Sequence, residues 1–248
     1  MIELEHLRKE FRNVVAVQDL TLRIETGCFF AFLGPNGAGK TTTIKLITGL
    51  LKPTSGRLRI CGHDVQEDGM AARQVLSYVP DQPYLYDKLS GREFLRFVGE
   101  VYGMERRPME LEIGAIAERF EMSSYLDQLA ETYSHGMKQR VVIGAALLHE
   151  PRVIVIDEPM VGLDPRSSRI VKDVLRERAA AGVTVFMSTH TLSVAEELAD
   201  RIGIIRRGEL IADGSLEDIY EASQAGGQLE EAFLKLTEEL AADTGAEA

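Results

Sequence analysis

The segment Gly34-Pro35-Asn36-Gly37-Ala38-Gly39-Lys40-Thr41 constrains this chain more than any other. It fits G-x-x-x-x-G-K-[ST] at every fixed position, follows the continuously apolar run Phe29 to Leu33, and opens a helical pattern from Lys40 to about Leu51. A strand covered on both faces, a glycine-rich turn and a helix start together make a phosphate cradle. The glycines let backbone N–H groups converge on phosphate oxygens, and the helix N-terminus adds its positive end. Lys40 supplies a point charge to the outer phosphates, and the Thr41 hydroxyl offers an oxygen to Mg²⁺. Thr42 continues the same first turn and belongs to the same cradle.

A metal-holding and water-activating part is then expected, and Val153-Ile154-Val155-Ile156-Asp157-Glu158 supplies it. This is an apolar strand ending in two carboxylates at the edge where α/β sheets bind ligands. Adjacent side chains point differently, so Asp157 suits Mg²⁺ and Glu158 suits the attacking water. Alone, such a pair is more often a surface turn; beside Gly34 to Thr41 it reads as the second half of a nucleotide-hydrolysing site.

The rest of the chain reads as an α/β fold. Alternating apolar residues at Ile2 and Leu4, and along Val15, Val17, Leu20, Leu22 and Ile24, predict an N-terminal antiparallel β subdomain. Strands at Val153 to Ile156, Thr184 to Met187 and Arg201 to Ile205 alternate with helices at about Arg166 to Ala181 and Leu192 to Ala199, which predicts a mixed, largely parallel sheet. Residues 90–150 read as an inserted helical subdomain, with breaks near Arg107-Pro108 and from Thr132 to Gly136. Arg206-Arg207-Gly208 turns a hairpin. Residues 216–248 read as an acidic helical tail with one apolar stripe at Leu229, Phe233, Leu236 and Leu240.

The 248 residues suffice for one large domain, at 1–215, and leave no room for two such units in tandem. Acidic residues outnumber basic ones 39 to 28, a net charge of −11, and most of the excess lies in the tail, where nine acids from Glu217 onward face Lys235 alone. A nucleic-acid partner is therefore not expected. Cys28 and Cys61 have neither a disulfide-framework nor a metal-ligand spacing, and the first residues lack the features of a signal peptide. The longest apolar stretch, Val141 to Leu148, is too short to span a bilayer. A cytoplasmic chain is expected, whose membrane role, if it has one, comes through a partner.

With both strong motifs in place, the chain resembles the ATP-binding subunit of ATP-binding cassette (ABC) transporters over about residues 2–215, with the motifs in the family's order. Phe11 lies where the family sets an aromatic residue against adenine. Gln82, in Val79-Pro80-Asp81-Gln82-Pro83, resembles the loop glutamine that links metal and attacking water to the helical subdomain. Tyr133-Ser134-His135-Gly136-Met137-Lys138-Gln139-Arg140 resembles the signature sequence, Gly162-Leu163-Asp164 the loop reaching the opposing subunit, and Ser188-Thr189-His190 the segment ending in the switch histidine. Read singly, Phe11 would be a core aromatic, Gln82 a solvated loop residue and His190 structural; their order and spacing give them site roles. Cys61, His6, His63 and His149 receive none.

The signature departs from the commonest form, Leu-Ser-Gly-Gly-Gln: His135 replaces its first glycine and Met137 its glutamine, while Ser134 and Gly136 remain. Ser134 and the N–H groups after it still cap a helix start and face a γ-phosphate. The resemblance implies ATP and Mg²⁺, a homodimer or heterodimer with two nucleotides between the subunits, a separate transmembrane permease partner, and a peripheral place on the cytoplasmic side of the membrane. Export is implied by the signature variant and by the region from Tyr84 to Gly103. The alternatives are a soluble ABC ATPase acting on nucleic acid or ribosomes, against which the short stretch from Lys40 to Tyr133 argues, and a weakly hydrolysing regulatory subunit, against which Lys40, Asp157, Glu158 and His190 argue.

Overall fold

A computed structural model describes residues 1–243, with side chains through Thr237. Among these residues the strands are β1 (Ile2–Phe11), β2 (Val14–Ile24), β3 (Phe29–Leu33), β4 (Ser55–Ile60), β5 (His63–Asp64), β6 (Leu76–Val79), β7 (Val153–Asp157), β8 (Thr184–Thr189), β9 (Arg201–Arg206) and β10 (Glu209–Gly214). The helices are α1 (Lys40–Ile47), α2 (Gly69–Gln74), α3 (Gly91–Val101), α4 (Arg106–Arg119), α5 (His135–Leu147), α6 (Pro165–Ala180), α7 (Leu192–Leu198), α8 (Leu216–Ser223) and α9 (Leu229–Asp243).

Strands in the order β2-β1-β4-β5 make an antiparallel sheet, and β10-β9-β3-β8-β7-β6 make a second, in which β9–β10 pair antiparallel and the other pairs are parallel. Alternation in β2 jumps from Val17 to Leu20 because a register shift falls between Leu7↔Leu20 and Lys9↔Val17; the shift keeps both residues buried. β3 is buried along its whole length because it is hydrogen-bonded between β8 and β9 and covered on both faces. Successive side chains of β3 therefore feed two cores. Phe30 and Phe32 join Phe186, with ring centroids 5.6 and 5.2 Å from it, beneath the antiparallel sheet and α1. Phe29, Ala31 and Leu33 face the helices, with Leu95, Ile113, Val141 and Val171. Burying side chains of this size contributes about 1.5 to 3 kcal/mol each.

The structure corrects several boundaries. α1 stops at Ile47 instead of Leu51, because Thr48 turns its hydroxyl back onto the Ile44 carbonyl at 2.9 Å and Gly49 follows at φ 70°. Arg107-Pro108 does not break the helical region; it lies in the first turn of α4, where a missing N–H costs nothing, and the break lies at 102–105. Gly136 is inside α5, which begins at His135 after a short 3-10 turn at Ala130–Thr132. β4, β5, β6 and α2 are additional to the predicted elements. The Arg206-Arg207-Gly208 hairpin forms, with Arg207 and Gly208 at φ 49° and 82°. The tail is two helices rather than one: Leu229 and Ala232 are buried, Phe233 and Leu236 pack against the core, and the Leu229 N–H donates to Glu196 of α7 at 2.9 Å. The side chain of Leu240, like those of Glu238, Glu239, Asp243 and Glu247, lies outside the described residues. No helix among the described residues is long and apolar enough to cross a membrane.

Candidate active site

β3 delivers the chain into the glycine-rich loop at the carboxyl edge of the sheet, and α1 leaves it. Two glycines are needed there for space. A Cβ on Gly34 would lie 2.4 Å from the Ile205 carbonyl oxygen, and one on Gly39 would lie 2.5 Å from that of Ala16; Gly39 also stands at φ 114°. The hairpin turn after β9 braces the loop, with the Gly208 N–H donating to the Ala38 carbonyl at 2.8 Å. No acidic residue occupies the first turn of α1, so its positive end is left for a ligand.

Lys40 is 8% exposed, and its ammonium reaches back to the carbonyls of Gly34 at 2.6 Å and Pro35 at 3.2 Å. Burial lowers its pKa, against Glu158 and Asp157, whose charges raise it. A phosphate entering the loop would strengthen the charged form further.

The parallel register of β7 on β8 sets Asp157 opposite Ser188, so the Ser188 hydroxyl donates to one Asp157 oxygen while Thr41 Oγ1 donates to the other at 3.3 Å. Burial raises the Asp157 pKa, opposed by the Ser188 bond; the charges of Asp81 and Glu158 raise it too, and the Thr41 bond lowers it. A cation between Thr41 and Asp157 would remove that penalty. An all-oxygen set of one hydroxyl and one buried carboxylate, leaving most positions to water and phosphate, is the set that Mg²⁺ takes. The residues therefore fit the metal.

Glu158 leaves β7 with φ at 48°, a left-handed turn fixed by its N–H on the Ser188 carbonyl at 3.1 Å. Its Oε2 accepts from Thr189 Oγ1 at 3.2 Å, and its Oε1 lies 2.8 Å from His190 Nδ1. Thus Asp157 and Glu158 do separate: one turns to the Thr41 hydroxyl, the other to His190.

Asn36, Gly37, Gly39, Lys40, Thr41 and Thr42 line a cleft of 360 Å³ together with Asp157, Glu158 and His190. Pro35 and Ala38 shape the loop, with the Ala38 N–H on the Pro35 carbonyl at 3.1 Å. Gln82 lines an adjoining cleft of 580 Å³, which shares Asp81 and Glu158 with the first. Phe11, at the end of β1, is 43% exposed with the Lys9 ammonium 4.9 Å from its ring centre, and it stands outside the lining of both clefts. Asp81 and Ala16 are additions to the residues read from sequence. Asp81 had a signal, an acid one residue before Gln82; Ala16, a small apolar residue of β2, had none.

Ser134 caps α5, its hydroxyl oxygen accepting from the Met137 N–H at 3.3 Å, and it is exposed. Asp164 caps α6, accepting from the N–H groups of Arg166 and Ser167 at 3.0 Å each and from Ser167 Oγ at 2.6 Å, and these bonds lower its pKa. Gly136 packs beside it, where an added Cβ would lie 3.7 Å from Asp164 Oδ2. None of the three lines the phosphate cleft of its own chain.

Comparisons agree with this geometry. Residues 17–161 match the family described as ABC transporter. The Linearmycin resistance ATP-binding protein LnrL of Bacillus subtilis (strain 168) is 35% identical over 227 residues, 92% of this chain and 72% of that protein. A solved ATP-binding subunit of an ABC transporter superposes with a TM-score of 0.90 at 33% identity, covering 95% of this chain and 99% of that one. A dimeric post-hydrolysis ATP-binding cassette bound to ADP and Pi superposes with a TM-score of 0.79 at 25% identity, covering 87% and 98%. A phosphate loop facing a paired Asp157 and Glu158, on this fold and with these relatives, places the chain in the ABC transporter family as an ATP-binding cassette that hydrolyses ATP.

Proposed function

We propose that this chain is the ATP-hydrolysing subunit of an exporter, pairing with a second cassette around two ATP molecules and driving a separate transmembrane permease. The observation that carries the pairing is the separation just described. Ser134 and Asp164 are exposed on one face with the half-buried Gly136 between them, yet none of the three lines the cleft holding Lys40, Thr41 and Glu158. The α5 start, capped by the neutral Ser134 hydroxyl and with no acid in its first turn, is suited to phosphate, and a second copy would bring a phosphate to it, while the α6 start beside it is already capped by the Asp164 carboxylate.

In each composite site Phe11 stacks on adenine, the loop from Gly34 to Thr42 wraps the phosphates, and Thr41 and Asp157 would hold Mg²⁺, with Gln82 joining them from the adjoining cleft. The metal, when bound, neutralises charge on the β- and γ-phosphates. Glu158 takes a proton from water as the water oxygen bonds to the γ-phosphorus and the β–γ bridging bond breaks, giving ADP and phosphate. His190 holds that carboxylate in place, and Ser134 with the N–H groups of the opposing α5 steadies the γ-phosphoryl oxygens.

Residues 1–215 make up the ATP-binding unit in this reading, and 216–248 an acidic tail. The drug-resistance name of its relative and the Tyr-Ser-x-Gly-Met-x-Gln-Arg signature favour export. The chain then sits on the cytoplasmic face of the membrane, held by its permease, and a net charge of −11 speaks against nucleic acid as the partner. The test is the mass in solution of Glu158→Gln protein by light scattering, with and without Mg-ATP. A dimer formed only with Mg-ATP supports the pairing; a monomer at saturating Mg-ATP counts against a sandwich of two copies.

A further inference from the structure

His135 stands where the signature most often has glycine, and the structure gives its side chain a place. It is the first residue of α5, its Nε2 lies 3.1 Å from the Val161 carbonyl oxygen, and its ring covers Gly162. Facing a carbonyl, that nitrogen carries the proton and donates. Gly162 is fitted to the ring: it turns at φ 73°, and a Cβ there would lie 2.9 Å from His135 Cδ2.

This contact is the outermost of three that seat the 159–164 loop on α5. Next along the helix, Gly136 leaves room for Leu163 and Asp164, with an added Cβ 3.6 Å from Leu163 Cδ2. One turn further, buried Gln139 donates its amide to the Pro159 carbonyl at 3.4 Å. Gln139 is buried and Gly136 half-buried, and both are tied to packing. His135 is exposed and lies at a helix end, so its side chain can be altered without opening the core.

We infer that His135 is a positioning residue that locks Val161 and Gly162 against the start of α5, so that Ser134 and Asp164 meet a second copy's nucleotide as one rigid surface. The inference rests on the paired-cassette reading above. Without the side chain the 159–164 loop keeps its inner contacts and loses its outer one, and the two ATP-facing caps move independently. The cost falls on association with the second copy. His135 lines the adjoining cleft of Gln82 and Glu158 but not the cleft formed by the phosphate loop, so nucleotide binding in that loop is untouched.

The test uses full-length Glu158→Gln protein carrying His135→Ala or His135→Gln. Glutamine places an amide N–H at nearly the same reach as His Nε2 and so restores the bond without the ring. The readouts are the protein concentration for half-maximal dimerisation in saturating Mg-ATP, by sedimentation, and the affinity of the dilute monomer for a fluorescent ATP analogue. His135→Ala is expected to raise the half-dimerisation concentration about tenfold. His135→Gln should return it to within about threefold, and monomer affinity should stay within about twofold for both. An unaltered dimerisation in His135→Ala overturns the inference alone, as does an equal loss of monomer affinity. Failure of glutamine to restore dimerisation overturns the role given to the Nε2–H bond. A Glu158→Gln parent that stays monomeric overturns the paired-cassette reading, and the inference with it.

Discussion

His190 Nδ1 lies 2.8 Å from Glu158 Oε1, and the other oxygen of that carboxylate accepts from Thr189 Oγ1 at 3.2 Å. Both partners come from the end of β8 and the residue after it, so the neighbouring strand aims the Glu158 side chain. The carboxylate is held on two sides while its residue occupies an unfavourable backbone region at φ 48°. Strain of about 1 to 3 kcal/mol persists only where surroundings over-determine it, and here they fix the carboxylate that lines both clefts beside the phosphate loop.

Glu158→Gln keeps both hydrogen-bonding positions and removes the basic oxygen. ATP turnover is expected to fall by about 10² to 10⁴ with ATP affinity kept. Phosphate-release kinetics beside an equilibrium nucleotide titration check this. Near-normal hydrolysis would move the base elsewhere, and Asp81, which lines both clefts, would be the next residue to replace.

Phe11 is exposed at the end of β1, with a Lys9 ammonium 4.9 Å from its ring centre, so it is not a core aromatic. Stacking of a base on an aromatic ring is worth about 1 to 3 kcal/mol, so Phe11→Ala is expected to weaken ATP binding about 5- to 150-fold, and Phe11→Tyr to preserve it. The melting temperature of Phe11→Ala should be close to that of the parent. A large fall in stability with intact affinity would assign the ring to packing.

The parts of this site that could be read from sequence are those where chemistry dictates residue type at fixed spacing. The loop from Gly34 to Thr41 needs small residues for close backbone approach, and the carboxylate pair needs a buried strand behind it. Contacts between distant segments left no such trace. His135 and Val161 are joined only because α5 and the loop after β7 meet in space, and no period or spacing in the chain encodes that. β6 was missed because it has four residues, two of them Ser77 and Tyr78, and gains its place by pairing with β7, far away in sequence. Pro108 misled because a proline two residues after a helix start resembles a proline that ends one.

His149 received no role from sequence, yet burial pushes its pKa from an ordinary 6.5 to about 4. Its ring stacks on Tyr102 with centroids 3.5 Å apart and planes 10° off parallel. The folded chain therefore keeps this imidazole neutral at pH values where the unfolded chain protonates it. Between about 4 and 6.5 the unfolded state binds more protons, so this contribution is complete above 6.5 and is lost as pH falls toward 4. Because the ring is only partly buried, we expect about 1 to 2 kcal/mol from it. His149→Phe keeps the stack and removes the titration, so its urea stability should fall less than the parent's between pH 7 and 4.5, by that amount. Equal falls would show that the carboxylates alone set the acid response.

The segment after Gln82 carries aromatic residues that the core only partly uses. Leu85 is buried, but Tyr84, Tyr86 and Phe97 are 71%, 47% and 45% exposed. Tyr86 sits at the centre, its ring 5.7 Å from Tyr84, 5.9 Å from Phe97 and 6.4 Å from the half-buried Phe94. Rings that hold one another in place at the surface lose little freedom when a partner covers them, which suits an apolar helix face from the permease proposed above. The same segment begins at Gln82, in the cleft shared with Glu158, so a partner seated on it touches the nucleotide site through a few residues of backbone. Replacing Tyr84 and Tyr86 together with serine is expected to leave the ATPase rate of the isolated subunit within about twofold, since neither ring reaches the phosphate cleft. Losing two aromatic anchors should cost several kcal/mol of association, enough to abolish co-purification with the permease. If the doubly substituted chain still co-purifies with the permease in detergent, the docking surface lies elsewhere on the molecule.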